Sequence, residues 1–228
     1  MRTDGPDPGV AATTVLDVGH GLAVVVETNR HVLLYDTGPR YRSGFDGGRE
    51  IVLPALRAMG RNRLDTIVVS HADTDHSGGA AAVIDSYPRA LLVNDSSCVL
   101  KVRTDAGTLI ITGDIESFGE RALLSGVPDL QTDVVIVLHH GSATSSTPAL
   151  VNSMNARYAV VSAAYSNQWD FPRPEVRARW EASGAEMVTT GDSGAITVVL
   201  GAAADPRLTA RRDKRRRYWH TKLPGVSG

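Results

Sequence analysis

The sequence predicts an α/β architecture in which two facing β-sheets are covered on their outer faces by helices. Three observations carry that expectation. Short apolar runs with strand character alternate with helical stretches along all 228 residues. The second half repeats the strand-and-helix logic of the first. Polar clusters recur wherever a strand pattern ends, as they do when a rigid scaffold presents an active edge.

Residues 1–12 read as a flexible lead, 13–204 as the folded domain and 205–228 as a basic C-terminal tail. Apolar runs at 13–18, 22–28 and 32–36 predict three strands, with Asn29-Arg30 as a tight turn between the last two. A Gly-rich loop covers 42–48. Residues 50–59 place Ile51, Leu53, Leu56 and Met59 at helical spacing, and Gly60 ends the helix. Pro54 lies early enough in it to be tolerated. The run 66–69 predicts a buried strand and 80–86 a short helix, with Pro88 beyond it. Strands at 90–93, 98–103 and 109–112 follow. In the second half a helix at 118–125 leads to a strand at 134–138. Thr147-Pro148 is a cap followed by proline in the first turn, opening a helix to 154. A strand at 158–162, a helix at 175–183 opened by Pro174, and strands at 186–190 and 195–200 complete the domain.

Composition sets bounds. Hydrophobic residues make up 42% and charged residues 21%, which is ordinary for a soluble globular chain of one domain. A formal net charge of −1 selects no polyanionic partner. Its distribution is less neutral, because residues 211–217 hold six basic side chains in seven, either a solvated tail or a phosphate-binding one. Cys98 is the sole cysteine, so an internal disulfide is excluded and a thiolate metal site disfavoured. It reads as a buried structural thiol. No apolar run reaches membrane-spanning length and no leader pattern opens the sequence, so a soluble protein or a soluble piece of a larger membrane protein is expected.

The chemistry concentrates after the strand at 66–69. His71-x-Asp73-x-Asp75-His76 puts two imidazoles and two carboxylates on one short loop. That set suits two divalent cations better than one, and paired cations activate water against an ester. Burying these groups with no metal is costly, so a solvent-exposed charged loop is the one serious alternative. Asp36-Thr37-Gly38, Gly113-Asp114-Ile115-Glu116, His139-His140-Gly141-Ser142 and Asp192-Ser193-Gly194 also sit at strand ends. Each alone is an ordinary turn or cap.

Together with Asp17-Val18-Gly19-His20-Gly21, these motifs stand in an order that resembles the metallo-β-lactamase fold. In detail the chain resembles the C-terminal domain of ComEC-type DNA-uptake channels of competent bacteria. The flanking words Leu34-Tyr35-Asp36-Thr37-Gly38-Pro39, Ser97-Cys98-Val99-Leu100 and Arg215-Arg216-Arg217-Tyr218-Trp219 match the same group, and the resemblance spans roughly 13–220. It implies an αββα metallo-β-lactamase-like sandwich with the site at one edge of the sheets. It implies a place on the periplasmic face of the inner membrane, beside the channel part of the same protein, and a nuclease that degrades the strand that is not imported. It further implies two divalent ions, Mn or Zn, with His71 and Asp73 on one, Asp75 and His76 on the other, Asp114 bridging and His140 completing the second. Catalytic roles fall to Asp75, Asp114 and His139, the last free to touch the phosphate or protonate a leaving group. Asp36 and His20 stand behind the ligands, Asp36 orienting a ligand imidazole. Single-stranded DNA is the implied partner, with Arg211, Arg212, Lys214, Arg215, Arg216, Arg217, Tyr218 and Trp219 offering phosphate contacts beside aromatic faces.

The sequence also departs from that family. His20 replaces a Gln, and Phe171 stands where a His is common. The segment after Val93 is short, and no His lies between His76 and His139. The first metal then needs water or a polar group in 94–97. Two alternatives follow: a DNA-guiding module without catalysis, or a phosphodiesterase for small substrates such as phosphorylcholine esters. Asp73 hardens the ligand set toward Mn²⁺ while still allowing Zn²⁺. Carboxylates at 73 and 75 without a zinc-binding Cys disfavour lactam chemistry. Trp169 and Phe171 near the cleft suit either base stacking or core packing.

Overall fold

A computed structural model describes residues 5–94, 98–201 and 204–214. The first half contributes β1 (Ala11–Val15), β2 (Val24–Glu27), β3 (Val32–Tyr35), α1 (Leu53–Ala58), β4 (Thr66–Val69), a one-turn α2 (Thr74–Ser77), α3 (Ala80–Ser86) and β5 (Leu91–Asn94). The second contributes β6 (Leu100–Thr104), β7 (Gly107–Ile111), α4 (Ser117–Gly126), β8 (Val134–Ile136), α5 (Pro148–Met154), β9 (Tyr158–Val161), α6 (Pro174–Ala182), β10 (Glu186–Thr189), the single turn α7 (Thr190–Ser193), β11 (Ile196–Gly201), β12 (Ala204–Ala210) and α8 (Arg211–Lys214).

The strands form a seven-stranded sheet, β12-β11-β1-β2-β3-β4-β5, and a five-stranded sheet, β10-β9-β8-β7-β6. Period-two alternation divides each central strand between two cores. On β4, Val68 enters the core between the sheets, whereas Ile67 and Val69 pack toward α1 and α3. On β8, Val134 and Ile136 face the other sheet and Val135 faces α5 and α6, where Trp180 is fully buried. The result is the expected four-layer αββα sandwich. β3, β4 and β5 run parallel in one sheet, and β7, β8, β9 and β10 run parallel in the other. Their C-terminal ends therefore open onto one edge, the usual place for a site in such sheets.

Several elements differ from the sequence expectation for identifiable reasons. The helix expected at 50–59 begins as a wide turn over Gly48–Val52, closed by Leu53 N–H on Gly48 O. Pro54 has no N–H for the ordinary bond one turn back, so the turn before it widens. The strand expected at 134–138 stops at Ile136, because His139 and His140 take left-handed backbone angles, φ 46° and 53°. Asp192 is drawn into a cap: Thr189 Oγ1 donates to its carboxylate at 2.6 Å, and the Asp192 segment forms α7 rather than an open loop.

Both boundaries shift as well. β1 begins at Ala11, inside the expected lead, in register with Leu200 on β11. Residues 204–210, expected partly as tail, form β12 against β11. Pro206 is acceptable there because β12 is an edge strand. Cys98 lies just before β6 and is half-buried rather than fully so.

Candidate metal centre

Asp36 follows β3 and is fully buried with a positive φ of 57°, a strained conformation for a residue with a side chain. Four hydrogen bonds hold it. Its N–H donates to Val68 O at 2.8 Å; its carboxylate accepts from Ser70 N–H and Ser70 Oγ, both at 2.8 Å, and from His76 Nδ1 at 2.7 Å. Ser70 Oγ also lies 2.9 Å from His71 Nδ1. One carboxylate thus orients both imidazoles of the loop, His76 directly and His71 through a hydroxyl. Across the edge, His140 Nδ1 donates to Ser162 O at 2.7 Å.

These bonds place the Nδ1 protons of His76 and His140 on oxygen acceptors and leave each Nε2 facing inward. The two Nε2 atoms are 3.3 Å apart, with Asp114 Oδ2 3.2 Å from His76 Nε2 and Asp75 Oδ2 3.5 Å from His140 Nε2. Asp75, His76, Asp114 and His140 each offer one ligand atom, all within 4.8 Å of one another. Two imidazole lone pairs at that separation repel unless a cation or a proton lies between them, so the residues fit a divalent metal. His71 Nε2 adds a second sign of fit. It is buried with no hydrogen-bond partner among the described residues, and its ring lies 4.1 Å from that of His76.

Protons compete for the same place. Burial disfavours a charged His76, but its bonds to Asp114 and Asp36 outweigh burial and push it up to about 10. Burial also works against the Asp75 carboxylate, yet the His140 bond and the charge of His76 bring it down to about 2. Asp114 is held well below the carboxylate range in the same way, by His76 and then His140.

The other expected residues fall into three groups. Asp73 lies 3.5 Å from His71 Nε2, but its side chain is 79% exposed and outside the four-ligand cluster. His139 stands on the rim, with Nε2 3.8 Å from Asp114 Oδ2 and Nδ1 3.3 Å from Glu116 Oε1. His20 brings Nε2 within 3.6 Å of Asp75 Oδ2 and stacks on Trp169 at 4.0 Å; burial, then the nearby charge of His140, lowers it to about 4. It reaches the cluster because Gly21 lies against Asp75 O, where a Cβ would come within 2.3 Å. Phe171 packs between His20 and His139, at 5.9 and 6.3 Å between ring centroids.

Of the expected DNA-binding residues, Arg212 is tied inward, to Asp17 at 3.2 Å and to Gly191 O, and so pins α8 to the domain. Arg211 is exposed at the start of α8, and Lys214 ends that turn. Arg215, Arg216, Arg217, Tyr218 and Trp219 lie outside the described residues, as do 95–97, where a further ligand for the first metal was expected. The roles of Ser70, Ser162 and Glu116 escaped the sequence reading. Glu116 alone left a signal, two residues after Asp114 in the same motif.

The metallo-β-lactamase superfamily model matches residues 16–96. "Competence protein ComA" of Neisseria gonorrhoeae is 32% identical over 262 aligned positions, covering 98% of this chain and 37% of that protein. The chain is a metallo-β-lactamase domain homologous to the ComA/ComEC competence proteins. "Recombination protein 2" of Haemophilus influenzae is 29% identical over 80% of this chain and 28% of that protein. "ComE operon protein 3" of Bacillus subtilis is 24% identical over 80% of this chain and 32% of that protein. The chain therefore spans about a third of the length of these relatives. Among solved structures, Tm1679, described as a metal-dependent hydrolase of the β-lactamase superfamily, superposes with a TM-score of 0.53 at 13% identity, over 85% of this chain and 100% of that one. That likeness extends to the fold alone. Within the metallo-β-lactamase domain no described helix is long and apolar enough to cross a membrane.

Proposed function

We propose that this domain is a two-metal phosphodiesterase that hydrolyses DNA, single-stranded by preference, beside the membrane channel of a longer uptake protein on the periplasmic face. The observation that carries the reading is the cluster of Asp75, His76, Asp114 and His140 at the shared edge of the sheets. Its homology to competence proteins directs that chemistry toward DNA.

Asp75, His76, Asp114 and His140 would hold one ion, Mn or Zn. His71 and Asp73 would hold its neighbour, with Asp114 shared. Bound divalent cations supply Lewis-acid polarisation of the phosphoryl group and acidify water. The remaining work belongs to the chain. Asp36, Ser70 and the Ser162 carbonyl fix the imidazoles so that no reorientation accompanies substrate binding. His139, on the rim with its Nδ1 3.3 Å from Glu116 Oε1, would give a proton to the departing sugar oxygen. Phe171 packs against His20 and His139 beside the cluster. Asp75 and Asp114 remain ionised through the working range and balance the cations.

Cleavage of labelled single-stranded DNA with Mn²⁺, Mg²⁺ or Zn²⁺, beside Asp114→Ala, tests the reading. Metal-dependent cleavage lost in the variant is expected. No cleavage by metal-loaded parent, with DNA still bound, would instead identify a guiding module. Turnover of phosphorylcholine esters without competition by DNA would identify a small-substrate esterase.

A further inference from the structure

Beside the metal cluster the molecule opens into a cleft of about 680 Å³, within the range of small-ligand sites. His20, Tyr41, Phe45, Tyr165, Gln168 and Trp169 line it. The rings are unusually available. Tyr41, Tyr165 and Trp169 are 44%, 57% and 42% exposed, although large aromatics are normally sheltered. They are not loose. Tyr41 Oη donates to His20 O at 3.2 Å, and its ring stacks with Phe45 at 5.5 Å and 24°. Trp169 lies nearly parallel to His20 at 4.0 Å and 22°. Its loop is closed by Asn167, whose side chain bonds Phe171 O at 2.7 Å and Phe171 N–H at 2.9 Å.

Among the described residues no Asp, Glu, Lys or Arg side chain lines the cleft. The described lining thus offers a phosphate no countercharge. Flat apolar faces with one free amide, Gln168, suit a planar heterocycle carrying polar edges. The cleft and the cluster meet at His20, which stacks on Trp169 and reaches Asp75 at 3.6 Å. A group bound in the cleft would therefore lie next to a phosphate held at the cluster.

We infer that this cleft binds one unstacked nucleobase next to the scissile phosphate, with Trp169 and Tyr41 as stacking platforms. The inference rests on the phosphodiesterase reading and specifies its substrate. In a duplex each base is already stacked and paired, so the cleft favours single strands. Stacking is tolerant of base identity, since every base has a π-face, so little sequence preference follows. Trp169 and Tyr41 act on binding and not on the reacting atoms.

The test is anisotropy of fluorescein-labelled oligothymidylate against the same sugar-phosphate chain without bases, with the full chain and no added metal. Cleavage by the metal-loaded protein is measured in parallel. The parent is expected to prefer oligothymidylate, and Trp169→Ala to weaken that ligand about tenfold while leaving the abasic chain unaffected. Trp169→Phe, which keeps a planar ring, should restore most of the loss. Equal weakening of both ligands by Trp169→Ala, or unchanged binding of both, overturns the inference. Displacement of a bound oligonucleotide by choline but not by thymidine also overturns it, in favour of a quaternary-ammonium site. DNA cleavage with Trp169-independent binding removes the cleft and keeps the nuclease. Trp169-dependent binding without cleavage in any metal removes the nuclease and keeps the cleft.

Discussion

The loop 71–76 carries four candidate ligands, and its two ends are built differently. His76 at the far end is fully buried, held from behind by Asp36 and faced by Asp114 and His140 from the other sheet. His71 at the near end is steadied through Ser70, and its neighbour Asp73 projects into solvent. One end is a preorganised site closed by both sheets. The other is half a site, supplied by one loop. A cation at the buried end meets ligands already oriented, whereas one at the open end must order Asp73 and recruit partners. Affinity should follow that asymmetry.

The sharpest way to break the comparison is to remove a ligand at the closed end. His140→Ala takes away the imidazole contributed by the second sheet. Its effect on metal affinity is expected to exceed the ~10–100-fold typical of losing an orienting partner. Calorimetric titration with Mn²⁺ or Zn²⁺ checks it. A loss no greater than that of Asp73→Ala would show that the two ends are equivalent.

Asp36→Asn comes next. It keeps the volume but weakens the acceptor that fixes His76 and, through Ser70, His71. Both ends should lose affinity, by ~10–100-fold at the buried end. Unchanged affinity at that end would mean that packing alone orients His76.

Proton competition gives a third test, with a definite sign. His76 is raised to about 10 by Asp114 and Asp36 despite its burial, above its ordinary value near 6.5. In metal-free protein its ionisation therefore stabilises the fold fully below about pH 6.5, and that contribution is lost as pH rises through about 10. A metal must displace the same proton. Affinity at the closed end is expected to rise about tenfold per pH unit between roughly 7 and 10. Thermal melting should then show metal-free protein losing stability over this interval while the metal contributes more. A pH-independent affinity would remove His76 from the ligand set.

How much of this was legible follows the same division. The candidate ligands were legible as candidates because two His and two Asp fall within six positions directly after a strand, as His71, Asp73, Asp75 and His76 do. The sandwich was legible because Ile67, Val68 and Val69 allow burial on both faces. Which end would be closed was not legible. That depends on Ser162 lending a carbonyl just past the end of β9, on Ser70 lending a hydroxyl, and on where Asp73 points, and none of these has a compositional mark. Backbone groups are supplied by every residue, and a serine is as often a turn as a relay. The edge strand β12 was missed for a related reason. Ala204, Pro206 and the two alanines of β1 carry little strand propensity, and their pairing is dictated by β11 between them.

The smallest expected change at the closed end comes from Asp73→Ala. This carboxylate is exposed, lies 3.5 Å from His71 Nε2, and falls outside the four-ligand cluster. Removing it should leave the first equivalent of metal bound with affinity changed less than about threefold, a margin below 1 kcal/mol. The second equivalent should weaken until it is no longer retained on desalting. Metal content by mass spectrometry after desalting, with the cluster variant His140→Ala alongside, separates the two ends. Loss of both equivalents would show that Asp73 swings inward when cations bind and that the open end is as integral as the closed one. Retention of both would show that His71 and Asp114 hold the neighbouring ion without it. A drop from two to one would place the asymmetry of the loop in its chemistry as well as its shape.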